Sequence, residues 1–247
     1  MTLENFFHDN SKTALGFSGG VDSAYLLYAG LCYGADIRPY YIKTAFQPQF
    51  ELDDALRFTE KLGIELKIIN LDILSLPIIA SNPTDRCYHC KLALFGILKN
   101  QALKDGYSVL IDGTNASDDV CDRPGMNALR KLSVYSPLSE CGMTKNLIRQ
   151  LSKNAGLFTW DKPAYACLAT RIPSGETITD QVLNSVEKAE NALSQLGFSD
   201  FRVRVFHGAA RVQILSQQME TAIALTEKIK EKISPYFPVV LLDLNGR

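Results

Sequence analysis

The sequence lacks most of the features that would settle its class at once. Lysine plus arginine number 26 against 27 aspartates plus glutamates, a net charge of −1, so no overall field draws the chain to nucleic acid or to an anionic membrane. No stretch reaches the roughly 18 uninterrupted apolar residues of a membrane span. The start, MTLENFFHDN, has no basic segment followed by an apolar one, which predicts a cytoplasmic chain with no membrane partner. Neither G-x-x-x-x-G-K-[ST] nor G-x-G-x-x-G occurs, so the usual P-loop and dinucleotide fingerprints do not apply. Internal repeats and low-complexity tracts are absent. Six cysteines in 247 residues suit reduced thiols, some of them ligands or reactive groups, better than a disulfide framework.

What is present is an alternation. Apolar strand-like runs (13–17, 38–42, 65–71, 108–111) are followed by helix-like runs (21–33, 52–62, 91–103, 127–131), the pattern of a parallel sheet with helices on both faces. The stretch 143–157 reads as another amphipathic helix, stopped by Gly156. The Pro- and Gly-bearing segment WDKPAYACLATRIPSGE that follows has no period of its own. Beyond it a helix (179–196), two alternating strands (201–206 and 210–215), a helix (218–233) and a strand (239–244) read as a small α+β domain. The expected organisation is an α/β domain over 1–160, a linker over 161–178 carrying Cys167, and an α+β domain over 179–247.

In ALGFSGGVDSAYLL (14–27), Ser18-Gly19-Gly20 lies at the carboxyl end of the first strand, where open α/β sheets bind ligands. Glycines let backbone N–H groups approach an anion, the first helical turn points its unpaired N–H groups at it, and Ser18 and Ser23 add hydroxyls. A phosphate or pyrophosphate fits; so does a plain Gly-Gly turn with Ser18 as N-cap. The string Ser18, Gly19, Gly20, Val21, Asp22, Ser23 resembles the pyrophosphate loop of the PP-loop ATP pyrophosphatases, adenine nucleotide alpha hydrolase-like proteins that split ATP between the α- and β-phosphates. The resemblance implies ATP as substrate and Asp22 as a ligand of Mg2+, a hard cation that takes carboxylate and phosphate oxygens.

A second signal is NPTDRCYHCK (82–91). Cys87 and Cys90, one helical turn apart, are half of a soft-metal site, and residue types alone leave zinc, an iron-sulfur cluster and a redox pair open. Cys167 would supply a third ligand and His89 a fourth. Cys32, in an apolar helical stretch, reads as core packing; Cys121 and Cys141, in loops, read as inert. Asp122-Arg123 before Pro124-Gly125 is either a turn-fixing ion pair or a substrate contact, and His8 and His207 carry no signal.

SGGVDS, NPTDRCYHCK, LIDGTNASDD, DRPG, WDKPAYACLATRIPSG and RVRVFHGAAR stand in the order and spacing of the ATP-dependent sacrificial sulfur transferases of the LarE type, which this chain resembles from about residue 12 to about 215. That family makes the nickel-pincer nucleotide cofactor. The resemblance implies adenylation of a carboxylate on a pyridinium-3,5-dicarboxylate mononucleotide and its conversion to a thiocarboxylate. Of the two subtypes, one sacrifices a single cysteine; the other holds a 4Fe-4S cluster on three. Cys87, Cys90 and Cys167 match the three-cysteine pattern, and IPSG departs from the family's more usual aromatic before the glycine.

The same resemblance gives Lys91 an active-site role, against the alternative of a solvated helix lysine, and matches Thr170, Arg171 and Glu190 to family site positions. Arg202 and Arg204 alternate on one strand and share a face, and Arg211 on the next strand joins them. Three guanidiniums make a clamp for the phosphate of a small-molecule nucleotide substrate; a surface strand that merely alternates charge is the alternative. A tRNA-thiolating or amide-forming PP-loop enzyme would use the same loop, though the neutral charge points away from nucleic acid. A non-enzymatic zinc or iron-sulfur carrier is the other class. The sequence leaves the sulfide donor and a homo-oligomer open.

Overall fold

The computed structural model describes residues 1–118 and 124–247. Along the chain run α1 (Leu3–Asp9), β1 (Lys12–Gly16), α2 (Val21–Cys32), β2 (Asp36–Lys43), α3 (Gln49–Lys61), β3 (Lys67–Asn70), α4 (Pro77–Ala80), α5 (Arg86–Lys104) and β4 (Val109–Ile111). There follow α6 (Pro124–Lys131), α7 (Pro137–Glu140), α8 (Lys145–Asn154), α9 (Asp180–Gln195), β5 (Arg202–Phe206), β6 (Ala209–Gln213), α10 (Met219–Ala224), α11 (Thr226–Ile233) and β7 (Val240–Leu242). They form two compact units. The first comprises Met1–Thr44, Gln49–Leu71 and Asp85–Lys162; the second comprises Ala45–Pro48, Asp72–Thr84 and Pro163–Arg247.

The first unit is the expected parallel sheet, in the order β3-β2-β1-β4. Successive side chains of β1 face opposite ways. Leu15 enters one core with Phe7 of α1, Leu26 of α2, Phe58 of α3 and Ile148 of α8. Ala14 enters the other with Tyr40 and with Leu98 and Ala102 of α5. Buried on both faces, β1 is apolar at both Ala14 and Leu15, which is why TALGF reads as a run rather than an alternation. Helix α1 has no counterpart in the sequence reading. It is capped by Thr2, whose side chain accepts from Asn5 N at 3.1 Å, and it buries Phe6 and Phe7.

In the second unit β5 and β6 pair antiparallel about His207-Gly208, both with positive φ, and β7 runs parallel to β6. Such a two-residue turn matches the twist of the strands it joins. Helix α9 buries Leu183, Val186 and Leu193. The single helix expected over 218–233 is instead two, broken at Leu225. There the Thr226 Oγ1 donates back to the carbonyls of Ala222 (3.3 Å) and Ile223 (2.7 Å), a back-bond of the kind that bends helices. The segment after Lys162 is stitched within the unit: Leu168 N donates to Phe46 O (2.9 Å), Gly175 N to Asn82 O (2.8 Å) and Ile178 N to Ala80 O (2.8 Å). Leu168–Arg171 forms a 3-10 turn within it.

Thr13 in β1 is fully buried, and its hydroxyl has no hydrogen-bond partner among the described residues. An unpartnered buried hydroxyl carries its desolvation cost uncompensated. Thr13→Val, of nearly the same shape, is expected to raise the unfolding free energy by about 1 kcal/mol in urea denaturation with an unchanged m-value; a loss of stability would show that the hydroxyl has a partner.

Candidate active site

The turn between β1 and α2 is capped by backbone alone. Gly20 is the N-cap (φ −80°, ψ 166°) and no side chain caps the helix, so the N–H groups of the first turn remain for a ligand. Ser18 is therefore not the cap. Its backbone N donates to Ser23 Oγ (3.3 Å), its Oγ accepts from Gly20 N (3.4 Å), and the two hydroxyls lie 3.1 Å apart. Ser23 Oγ also donates to Gly20 O at 3.2 Å, so both serines hold the loop's shape. Gly19 sits at φ +70°, and a Cβ there would lie 3.2 Å from the Ala55 Cβ of α3. At Gly113, beyond β4, a Cβ would lie 2.9 Å from Ser23 N, so the turn after β4 presses directly on the first turn of α2.

Asp22 projects from that first turn. Its Oδ2 pairs with Lys145 Nζ at 2.5 Å, while its Oδ1 is buried without a hydrogen-bond partner among the described residues. Burial pushes the Asp22 carboxyl above the usual aspartate range; Lys145 opposes the shift, nearby Asp118 adds to it and Arg149 opposes it weakly. The turn after β4 is built on the Asp112 carboxylate, which accepts from Thr114 Oγ1 (2.5 Å), Thr114 N (3.2 Å) and Ser136 Oγ (2.7 Å). That turn holds the start of α8: Ala116 N donates to Met143 O (2.9 Å) and Lys145 N to Ser117 Oγ (2.9 Å). Thr144 caps the helix through Leu147 N, which leaves Lys145 in the first turn facing Asp22. One helical turn on, Arg149 donates to the carbonyls of Trp160 (2.6 Å) and Lys162 (2.7 Å). Lys162 Nζ, held by this segment, donates to Gly19 O (3.3 Å) and pairs with Asp54 of α3 (2.7 Å).

Cys87, exposed, and Cys90, half buried, occupy the first turn of α5. His89 Nε2 lies 3.2 Å from Asp85 Oδ2, which commits its ring to the start of the same helix. Lys91 is half buried rather than solvated: its stem lies against Gly125, where a Cβ would come within 2.9 Å of Cδ, and its Nζ is 4.0 Å from Met126 Sδ. Cys167, in the second unit, is half buried, and its carbonyl accepts from Thr170 Oγ1 at 2.8 Å. Among the described residues no three His, Cys, Asp or Glu side chains are gathered as a metal site. Cys32 departs from the expectation of core packing. It is the last residue of α2 and is exposed, because the apolar run outlasts the face that the helix buries. Cys141 follows α7 half buried, and burial raises its thiol pKa. Cys121 and Asp122-Arg123 lie outside the described residues.

In the second unit the other predicted residues form one network. Arg171 and Glu190 are both buried, with Arg171 Nε donating to Glu190 Oε1 at 2.7 Å. The same carboxylate accepts from Val203 N (2.9 Å) and from Tyr165 Oη. Arg171 also donates to Thr170 Oγ1 at 2.7 Å. Arg202 is buried and donates to the carbonyls of Phe201 and Ala164, each at 2.5 Å. Arg204 donates to Gln213 Oε1 (2.7 Å) and Thr170 O (2.6 Å). Arg204 and Arg211 stand directly opposite across the β5–β6 pair, a juxtaposition of like charges that is destabilising unless an anion intervenes. Arg211 Nε is buried without a hydrogen-bond partner among the described residues, with Asp243 3.6 Å away. Burial, then the charge of Arg171, pulls the pKa of Arg202 and of Arg204 below the ordinary arginine value. Arg247, paired with Asp200, is lowered by the same two causes.

No family model matches the chain. Relatives do. The uncharacterised protein slr1717 of Synechocystis is 35% identical across 99% of this chain and 92% of its own length. The pyridinium-3,5-bisthiocarboxylic acid mononucleotide synthase of Lactiplantibacillus plantarum is 29% identical across 99% of this chain and 90% of its own. The tRNA-specific 2-thiouridylase MnmA of Thermotoga petrophila is 26% identical over 49% of this chain and 40% of its own. The chain belongs to the PP-loop family of sulfur transferases. The strand–loop–helix around Ser18–Ser23 has the strand–turn–helix form expected of a PP-loop. Lys145, Lys162 and Gly113 converge on that loop without having been singled out as site residues. The signal was weak: DGTN and WDKP stood among the quoted motifs, but lysines and a glycine in loops have too many ordinary uses to be assigned without their partners.

Two outcomes are expected from this PP-loop sulfur transferase. Gly113→Ala drives a methyl into Ser23 N and costs about 1–3 kcal/mol, read as a lowered urea midpoint; an unchanged midpoint would mean that the turn after β4 yields. Glu190→Gln leaves Arg171 buried without a counter-charge and costs about 3–5 kcal/mol, read in the same way; a loss below about 1 kcal/mol would place Arg171 in solvent.

Proposed function

We propose that the chain is an ATP-dependent sulfur transferase that adenylates a carboxylate of a pyridinium-3,5-dicarboxylate mononucleotide and converts it to a thiocarboxylate, in nickel-pincer cofactor biosynthesis. The observation that carries this reading is the likeness, over 99% of the chain, to the bisthiocarboxylic acid mononucleotide synthase, joined to a PP-loop capped by Gly20 alone. The carboxylate oxygen of the substrate attacks the α-phosphorus of ATP, the bond from that phosphorus to the α–β bridging oxygen breaks, and pyrophosphate leaves with the electron pair. Backbone N–H groups in the first turn of α2, from Val21 to Ser23, would stabilise the charge that develops on the departing oxygens. Asp22 fits a magnesium ion, because its Oδ1 is a buried carboxylate oxygen with no hydrogen-bond partner among the described residues. Bound there, the metal supplies charge neutralisation of the pyrophosphate.

The second unit then holds the substrate. Arg202, Arg204 and Arg211 take the mononucleotide phosphate, a role supported by the opposed pair Arg204 and Arg211; Thr170, Arg171 and Glu190 hold that ribbon. Lys91 sits next to Cys90 and balances negative charge on the adenylate or the incoming sulfur. Cys87, Cys90 and Cys167 suit a 4Fe-4S cluster in donor chemistry, being three thiols of which none is fully buried. Held by these three thiols, such a cluster would supply a carrier for sulfide.

Anaerobically reconstituted protein is expected to bind about four irons, to lose them in Cys87→Ala, Cys90→Ala or Cys167→Ala, and to turn ATP into AMP and pyrophosphate with the pyridinium substrate. Arg204→Ala should raise the substrate KM with a loss of about 1.5–3 kcal/mol and little change in ATP binding. Formation of ADP and phosphate overturns the adenylation reading. Iron-free turnover that leaves dehydroalanine at Cys167 overturns the cluster and puts a sacrificed cysteine in its place. Sulfur incorporation into tRNA but not into the pyridinium nucleotide overturns the substrate.

A further inference from the structure

The Asp22–Lys145 pair raises a question of charge. Asp22 is a single carboxylate in the first turn of α2, one oxygen on Lys145 Nζ at 2.5 Å and the other buried without a hydrogen-bond partner among the described residues. A divalent cation bound through the second oxygen would stand beside the ammonium group already on the first. Two positive centres sharing one carboxylate repel strongly where water is largely excluded, and the Asp22 side chain keeps only 19% of its exposure. Lys145 and a divalent cation therefore compete for Asp22. The released ammonium moves on a tether: its helix start is pinned by Ser117 and Thr144, so the group swings on its own stem alone. Asp118 lies near Asp22, and so does the loop Ser18–Ser23, where the phosphates of a bound nucleotide would add further negative charge. Lys162 does not offer the same charge, because it is already divided between Gly19 O and Asp54.

We propose that Lys145 is a catalytic residue of pyrophosphate release, an ammonium that balances Asp22 until a divalent cation takes the carboxylate and that then moves onto the departing phosphates. The inference rests on the adenylation reading above and adds to it a residue and an order of events. Lys145 acts through its charge alone. It moves no proton and forms no covalent bond; the only bonds that change are those at the α-phosphorus. Its contribution is to the charge that appears on pyrophosphate as the bond breaks, so it acts on the chemical step more than on nucleotide affinity.

The test uses the full chain at pH 8 with two variants, Lys145→Gln and Lys145→Arg, whose thermal unfolding is compared first with the unaltered protein. Manganese binding in the absence of nucleotide is read by the loss of free Mn2+ signal in electron paramagnetic resonance. Removing the competitor should tighten it several-fold in Lys145→Gln and leave it nearly unchanged in Lys145→Arg. Pre-steady-state formation of AMP and pyrophosphate should fall by about 100-fold or more in Lys145→Gln, the scale for losing one preorganised charge-stabilising group, with ATP affinity changed less than about threefold and with partial recovery in Lys145→Arg. Manganese binding that weakens or stays constant in Lys145→Gln overturns the competition; a rate within twofold of the unaltered protein overturns the catalytic role. If Lys145→Gln does not fold, Lys145→Met is read against the same limits. Should the unaltered protein form no AMP, the adenylation reading fails, while the manganese comparison still decides whether Lys145 and a cation exclude each other at Asp22.

Discussion

A carboxylate drawn out of water at the mouth of the first strand, with only one of its oxygens paired among the described residues, is the constraint on which the first unit turns. A charge moved from water into a protein interior is costly unless it is met by an opposite charge and hydrogen bonds. At Asp22 the opposite charge comes from far along the chain, in Lys145, and much of the surrounding architecture can be read as the means of delivering it. The Asp112 carboxylate organises the turn after β4, that turn holds the start of α8, and Gly113 lets it lie against α2 without a side chain between them. Stability and ligand binding then share the same atoms: what keeps the carboxylate tolerable in the folded chain is also what a cation must displace.

The second unit carries the opposite imbalance. Five guanidiniums, Arg171, Arg202, Arg204, Arg211 and Arg247, interact with three carboxylates, Glu190, Asp200 and Asp243. Glu190 is almost wholly taken up by Arg171, Tyr165 and the Val203 amide, so it fixes the ribbon more than it neutralises it. Arg204 donates to neutral acceptors, Gln213 Oε1 and the Thr170 carbonyl, and faces Arg211, which has Asp243 3.6 Å away. In the reading proposed above, this surplus of guanidiniums meets an anionic group from outside.

The sheet was legible in the sequence because a parallel strand buried on both faces leaves a short apolar run followed by a turn and a helical period, as at TALGF and RPYYI. The loop was legible for the same reason, since SGG occupies the end of such a run. What escaped was decided by partners distant in sequence. Helix α1 is too short for its period to register, and it stands because Thr2 caps it and Phe6 and Phe7 have a core to enter. The break at Leu225 coincides with one hydroxyl bonding backwards, in a stretch whose helical pattern continues without interruption. Cys32 looked interior because apolar neighbours surround it in sequence, yet it closes α2 on its outer end. Lys145 and Lys162 are ordinary helix and loop lysines until Asp22, Gly19 and Asp54 are placed beside them.

The stitching of the second unit bears on how the chain is made. Residues 45–48 and 72–84 belong to that unit, and their backbone partners at Leu168, Gly175 and Ile178 leave the ribosome much later. At elongation rates of about 5–20 residues per second, the two early segments wait several seconds for these partners, while β1, β2 and β3 are already made. Truncation after Lys162 would make that waiting permanent. The boundary between the units therefore cannot serve as a clean cut for expressing either half alone, and a nascent chain stalled there would present Phe46 and Ile79, side chains that the finished unit buries, to chaperones.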